Sequence, residues 1–183
     1  EAKPKREHVQ LRGKKPLAHI DLTACGACER ARGIAPNLGG LNIEGASWWR
    51  GALWLGVRSP LAKGLGRAPE RAMLLKMEGD ATTGFKATTV VALDLGGFGV
   101  RDLVVEGDNL LILAGPATDR RAPHQLYRLE SPEGTPARVN IDLPPFAEGI
   151  APTPDGAWLV VIDGDGKPGT ACEAPATWQK LRF

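Results

Sequence analysis

One phrase occurs three times along this chain, and it leaves few folds open. It runs through Glu44 in "IEGASWWRGALWLGVRSP", through Arg101 in "GVRDLVVEGDNLLILAGP" and through Glu148 in "AEGIAPTPDGAWLVVIDGD". In each copy a residue able to carry charge opens a short strand, a tight turn follows, and a second, strongly apolar strand ends in Gly, Arg or Asp. The anchors stand 57 and 47 residues apart. Repeats of about 50 residues built from four strands mark propeller blades, which bury their faces only against a stacked neighbour. Each phrase supplies two strands, and the stretches "RAMLLKM" with "TTVVALDL" and "HQLYRLE" with "ARVNIDL" supply the others.

The expected fold class is therefore all-β: about three four-stranded blades of a β-propeller over residues 41–183, with repeats starting near 41, 98 and 145. Closed propellers use ~4 to 8 blades. Three blades imply completion by a missing segment, a companion chain or further copies of this one, and the competing reading is a closed sandwich. Glycine (23) and proline (15) punctuate short apolar runs throughout, as turns punctuate strands. "EGDN" at 106–109 and "TPDG" at 153–156 place Asp and Gly where hairpins need them. Helix is expected only in "ACERARGIA", within a cysteine-containing lead-in over residues 16–40.

Charge excludes some partners. With 23 basic and 21 acidic residues the net charge is +2, so no global field draws the chain to nucleic acid or to an anionic membrane. Residues 1–15 alone lean basic and read as a flexible arm, with a tether to an acidic partner as the functional alternative. No run reaches the ~20 apolar residues of a membrane span. The chain shows no initiator Met and no signal peptide, so position 1 is expected to be a processed or an artificially cut end.

In a propeller the first strand of each blade lines the axis, so Glu44, Arg101 and Glu148 are expected to converge. Buried charges must pair, hold a metal or meet a ligand. Three arrangements follow. The first is a Glu-Arg-Glu network fixing blade to blade. The second is a cation such as Ca²⁺ on Glu44, Glu148 and Asp163, since calcium wants several oxygens. The third is an anionic ligand on Arg58 and Arg101, with Asp102 beside them, because forked guanidinium donors suit carboxylate and phosphate. "DGDG" at 163–166 begins like a calcium loop but lacks the later ligands of an EF-hand, and Asp163 and Asp165 read as a turn with a surface calcium site as the alternative.

The three cysteines leave several pairings open. Cys25 and Cys28 form "CGAC" and Cys172 lies far downstream. Zinc lacks a fourth ligand, and Glu29 stands where haem attachment needs His. A local Cys25–Cys28 disulfide, a long bridge from either to Cys172, and three free thiols remain. Trp48, Trp49, Trp54 and Trp158 lie in the repeat strands, where packing between blades accounts for them and a carbohydrate platform is the alternative. His8, His19 and His124 suggest no triad, and neither a nucleophile elbow nor a phosphate loop occurs.

From about residue 40 onward, "LNIEGASWW", "GVRSPL", "RAMLLKM", "LDLGGFGVRDL", "LLILAGP", "LYRLE" and "AEGIAPTPDGAWLVVIDGDG" resemble, in order and spacing, the bacterial propeller-like family catalogued as domain of unknown function 3616. That resemblance implies a fold and no chemistry. A weaker likeness links the Glu-Gly strand phrases to gluconolactonase and regucalcin-like propellers and to esterase-like phytases. It implies a divalent metal on Glu44 or Glu148, although Arg101 stands where the middle repeat of such a set would carry an acid. Two function classes result: a non-catalytic propeller module binding a partner protein or small ligand through its channel or open blade edge, and a metal-dependent hydrolase of sugar lactones or phosphate esters. The family resemblance and the cysteines favour a bacterial periplasmic or secreted location.

Overall fold

The structure, a computed structural model, describes residues 20–63, 70–118, 122–164 and 176–183. The basic arm, His8, His19, Asp165 and Cys172 lie outside the described residues. Three antiparallel sheets follow one another along the chain. The first contains β2 (Asn42–Trp49), β3 (Ala52–Ala62), β4 (Arg71–Asp80) and β5 (Gly84–Leu93) in sequential order, with the short strand β1 (Ile20–Asp21) added in parallel to β5. The second contains β6 (Gly99–Glu106), β7 (Asn109–Gly115), β8 (His124–Leu129) and β9 (Ala137–Leu143). The third contains β10 (Ala147–Pro152), β11 (Trp158–Ile162) and β12 (Thr177–Leu181).

All ten strands read from the sequence are present, and the meander order is that of consecutive propeller blades. Two details differ. The third sheet has three strands among the described residues instead of four. Strand β12 escaped the reading because "TWQKL" is mostly polar and exposed, as an edge strand tends to be.

Turn chemistry sets the hairpins. Arg50 and Gly51, with φ of 49° and 73°, close β2 onto β3 with both central residues left-handed, the geometry that matches strand twist. At the third hairpin Gly156 donates to Thr153 O at 3.0 Å, while Thr153 Oγ1 accepts from Ala157 N at 3.1 Å. The helix α1 (Gly26–Ala31) forms where "ACERARGIA" indicates it, and the disulfide is the local one, Cys25–Cys28. Neither cysteine is therefore available to Cys172.

Alternation divides each sheet into two apolar faces. Trp54, Ala72, Leu74 and Leu93 of the first sheet meet Val100, Leu110, Ile112 and Tyr127 of the second. Leu111, Leu113, Leu126 and Leu143 on the other face of the second sheet meet Ile150, Trp158 and Val160 of the third. The remaining face of the first sheet, with Leu55, Val57, Met73, Leu75 and Met77, is covered by Leu22, Cys25 and Cys28 of the lead-in. That segment is thus a cap on the first sheet.

Close approach between the first two sheets depends on Gly56, where a Cβ would overlap Val100 Cγ1 and crowd Leu103. Overpacking of this kind costs about 1–3 kcal/mol. Gly56→Ala should lower the urea midpoint by a corresponding amount with the slope of the transition unchanged, as measured by equilibrium unfolding.

Candidate functional site

Each repeat anchor occupies the same irregularity. The pairing of β2 with β3 shifts between Ile43 and Gly45, that of β6 with β7 between Val100 and Asp102, and that of β10 with β11 between Ala147 and Gly149. Glu44, Arg101 and Glu148 are the residues inserted at those three β-bulges. A bulge leaves its extra residue outside the ladder and re-aims its side chain. Three bulged first strands thereby direct three charged side chains to one point.

Arg101 sits at the centre. Its Nη1 donates to Glu44 Oε2 at 3.2 Å and to Glu148 Oε1 and Oε2 at 2.8 and 2.9 Å. Arg58, from β3, donates through Nη1 to Glu44 Oε1 at 2.9 Å and through Nε to Pro116 O at 3.2 Å. Asn42 Nδ2 donates to the same Glu44 oxygen at 2.8 Å. The cations lie deep, with the Arg101 side chain 5% and Arg58 11% exposed, whereas Glu44 and Glu148 keep 21% and 34%. Burial raises the Glu148 carboxyl above its ordinary value, and Arg101 opposes that shift.

Asp102, next to the central bulge, does a different job. Its carboxylate accepts from Leu103 N at 2.8 Å and from Ile150 N at 2.9 Å, clasping the second sheet to the third. Burial raises its carboxyl, and these two backbone donors pull it back. Sequence reasoning placed Asp102 beside an anion, but its acceptors are consumed by main chain.

His124 was not legible as a site residue. It is 3% exposed and faces Gly115, where a Cβ would overlap the imidazole ring and crowd Arg101. Among the described residues, neither ring nitrogen, nor Arg101 Nε, has a hydrogen-bond partner. Burial first and Arg101 second push the imidazole down to about 4, while the Ala122 backbone, outside good hydrogen-bonding geometry, opposes them.

The calcium set is not assembled. No group of three His, Cys, Asp or Glu comes together among the described residues. Arg101 occupies the position between the Glu44 and Glu148 carboxylates, and Asp163 is exposed, its backbone N–H donating to Phe146 O at 2.9 Å. The guanidiniums of Arg101 and Arg58 are likewise turned to carboxylates and to Pro116 O, so the expected anion contacts face inward. Of the arrangements the sequence left open, the ion-pair network is the one this geometry contains.

Residues 33–141 match the model of the family described as "Protein of unknown function (DUF3616)". The chain belongs to that family. Among solved structures, this DUF3616 chain is similar to the GH43_1 enzyme from Xanthomonas citri, with a TM-score of 0.43 and 16% identity over 76% of this chain and 45% of that one. The same enzyme complexed with xylotriose aligns with a TM-score of 0.41 and 18% identity over the same shares. The chain thus spans less than half the length of these structures. No curated protein matches it.

Two expectations follow for the DUF3616 cluster. Removing one member of a buried ionic group leaves the others unpaired and costs about 3–5 kcal/mol. Arg101→Met should therefore destabilise by that order, and adding Glu148→Gln, which leaves the Arg58–Glu44 pair balanced, should restore most of it, read by equilibrium unfolding of the single and double variants. The His124 imidazole binds its proton more weakly folded, at about 4, than unfolded, near the ordinary 6.5. Its contribution is present above pH 6.5 and is lost as pH falls toward 4, on the order of 3 kcal/mol in full. The raised carboxyls of Glu148 and Asp102 act in the opposite direction. Unfolding at pH 7.5 and pH 4.5 should show a larger loss in the wild type than in His124→Gln.

Proposed function

We propose that this chain is a non-catalytic module of a larger β-propeller and acts by docking a partner β-sheet on the outer face of its third sheet. One observation carries the reading. The residue after each bulge pairs with a residue of the next strand: Gly45 with Gly56, Asp102 with Leu113, and Gly149 with Val161. In the first sheet that pair receives Val100 and Leu103 of the following sheet. In the second, Asp102 takes Ile150 N and Leu113 packs in the cluster that includes Ile150. In the third, the equivalent Val161 is 42% exposed, and its cross-strand partner Trp178 is 67% exposed on the same face. The seat used twice for a following sheet is presented a third time.

Polarity favours a sheet on that side alone. The corresponding face at the other end of the stack is covered by α1 and its disulfide, so a copy of this chain adding head-to-tail would meet the cap. The occupant is a blade-like sheet from another segment, a companion chain, or a second copy meeting face to face. The Cys25–Cys28 disulfide supports an oxidising compartment, the periplasm or exterior of a bacterium. No helix among the described residues is long and apolar enough to cross a membrane.

The hydrolase reading needs a cation between Glu44 and Glu148, a place Arg101 fills. Native mass spectrometry with elemental analysis on the same sample separates the two readings. The module reading expects assemblies heavier than one chain, their loss in Val161→Asp, and no stoichiometric calcium. A metal-free monomer would overturn the open-stack reading, and stoichiometric calcium released by Glu44→Gln would favour the hydrolase.

A further inference from the structure

A second surface carries chemistry of its own. Between α1 and the end of β3 lies a groove of about 500 Å³, bounded by Ala27, Arg30, Ala31 and Ile34 on one side and by residues Pro60 to Lys63 on the other. Ala27, Arg30 and Ala31 stand three and four residues apart and so share one side of the helix. The floor is apolar: Ala31 is buried, Pro60, Leu61 and Ala62 are half-buried, and Ile34 remains 46% exposed. Among the described residues, the only charged ones lining it are Arg30 and Lys63, both exposed and cationic, and neither makes an ion pair with another of them. The nearby acid Glu29 is instead paired with Arg32 at 3.3 Å.

We infer that this groove binds a small amphiphilic anion, an alkyl carboxylate whose chain lies on the Ala31–Ile34–Leu61 floor and whose head is held by Arg30 and Lys63. Two cations without an ion-pair partner among the described residues, set over an apolar floor, complement one anionic head and one alkyl chain. A groove of about 500 Å³ falls within the roughly 300–1,000 Å³ of small-molecule sites. Opposite charge at exposed cations is screened by salt, so affinity falls as ionic strength rises.

Isothermal titration of the full chain with decanoate, decanol and decylamine at pH 7.5 tests the assignment. Decanoate should bind saturably and the other two much more weakly. Arg30→Glu should weaken decanoate about tenfold, as loss of a charge-assisted contact does. Both cations are exposed, so circular dichroism should show the variants folded. Trp178→Ala, on the third sheet, should leave decanoate affinity unchanged. Equal binding of decanol, an unaltered affinity in both Arg30→Glu and Lys63→Glu, a loss of binding in Trp178→Ala, or no saturable binding would each overturn the assignment.

Discussion

A single guanidinium, that of Arg101, touches carboxylates from the sheets on either side of its own. The apolar contacts between sheets supply most of the driving force, since they bury the larger surface. They do not by themselves fix register, because a layer of Leu and Val tolerates repacking. The ion pairs do so here, since Arg101 reaches both acids only when all three bulges align. Asp102 repeats the device one residue on, where its carboxylate meets Ile150 N. Apolar faces bring the sheets together, and two adjacent side chains of β6 set where they stop.

The stack also has a direction. At its first end the lead-in folds α1 over Met73, Leu75 and Val57, and the Cys25–Cys28 bond holds a six-residue helix that is too short to persist alone. At its last end β12 contributes Trp178 outward and Leu181 inward. One end of the stack is thus covered, while the outer face of the third sheet exposes Val161 and Trp178. Trp158 illustrates the asymmetry within one sheet: it is 8% exposed, packed on the second sheet and stacked on Phe183 at 5.7 Å, while Val161, three residues later, faces outward.

Much of this was legible because the repeat carries its own register. The charged anchor, the apolar second strand and the "EGDN" and "TPDG" turns locate the strands, and their period gives the number of sheets. The convergence of Glu44, Arg101 and Glu148 follows from blade geometry, but their occupancy of bulges does not, since nothing in "IEGA", "VRDL" or "AEGI" distinguishes an inserted residue from a paired one. The use of "CGAC" as a cap was hidden for a similar reason: a short helix is stabilised by what it covers, and that surface lies some 50 residues downstream in β4. His124 was hidden by burial. Its place beside Arg101 depends on the missing side chain at Gly115, a contact across the β7–β8 pair that a linear reading does not display.

The departure of the middle repeat from an acidic pattern then acquires a physical meaning. Three carboxylates aimed at one point would repel, and burial would force them to protonate or to gather a cation. A metal ion solves that problem with an exchangeable charge, which leaves coordination sites for a substrate. Arg101 solves it with a charge bonded to the chain, whose Nη1 and Nη2 donors are directed at Glu44, Glu148 and Pro116 O. With Arg58 on the second oxygen of Glu44, two cations balance two anions. The cluster is therefore neutral before any ligand arrives, and it fastens the three bulged first strands to one another.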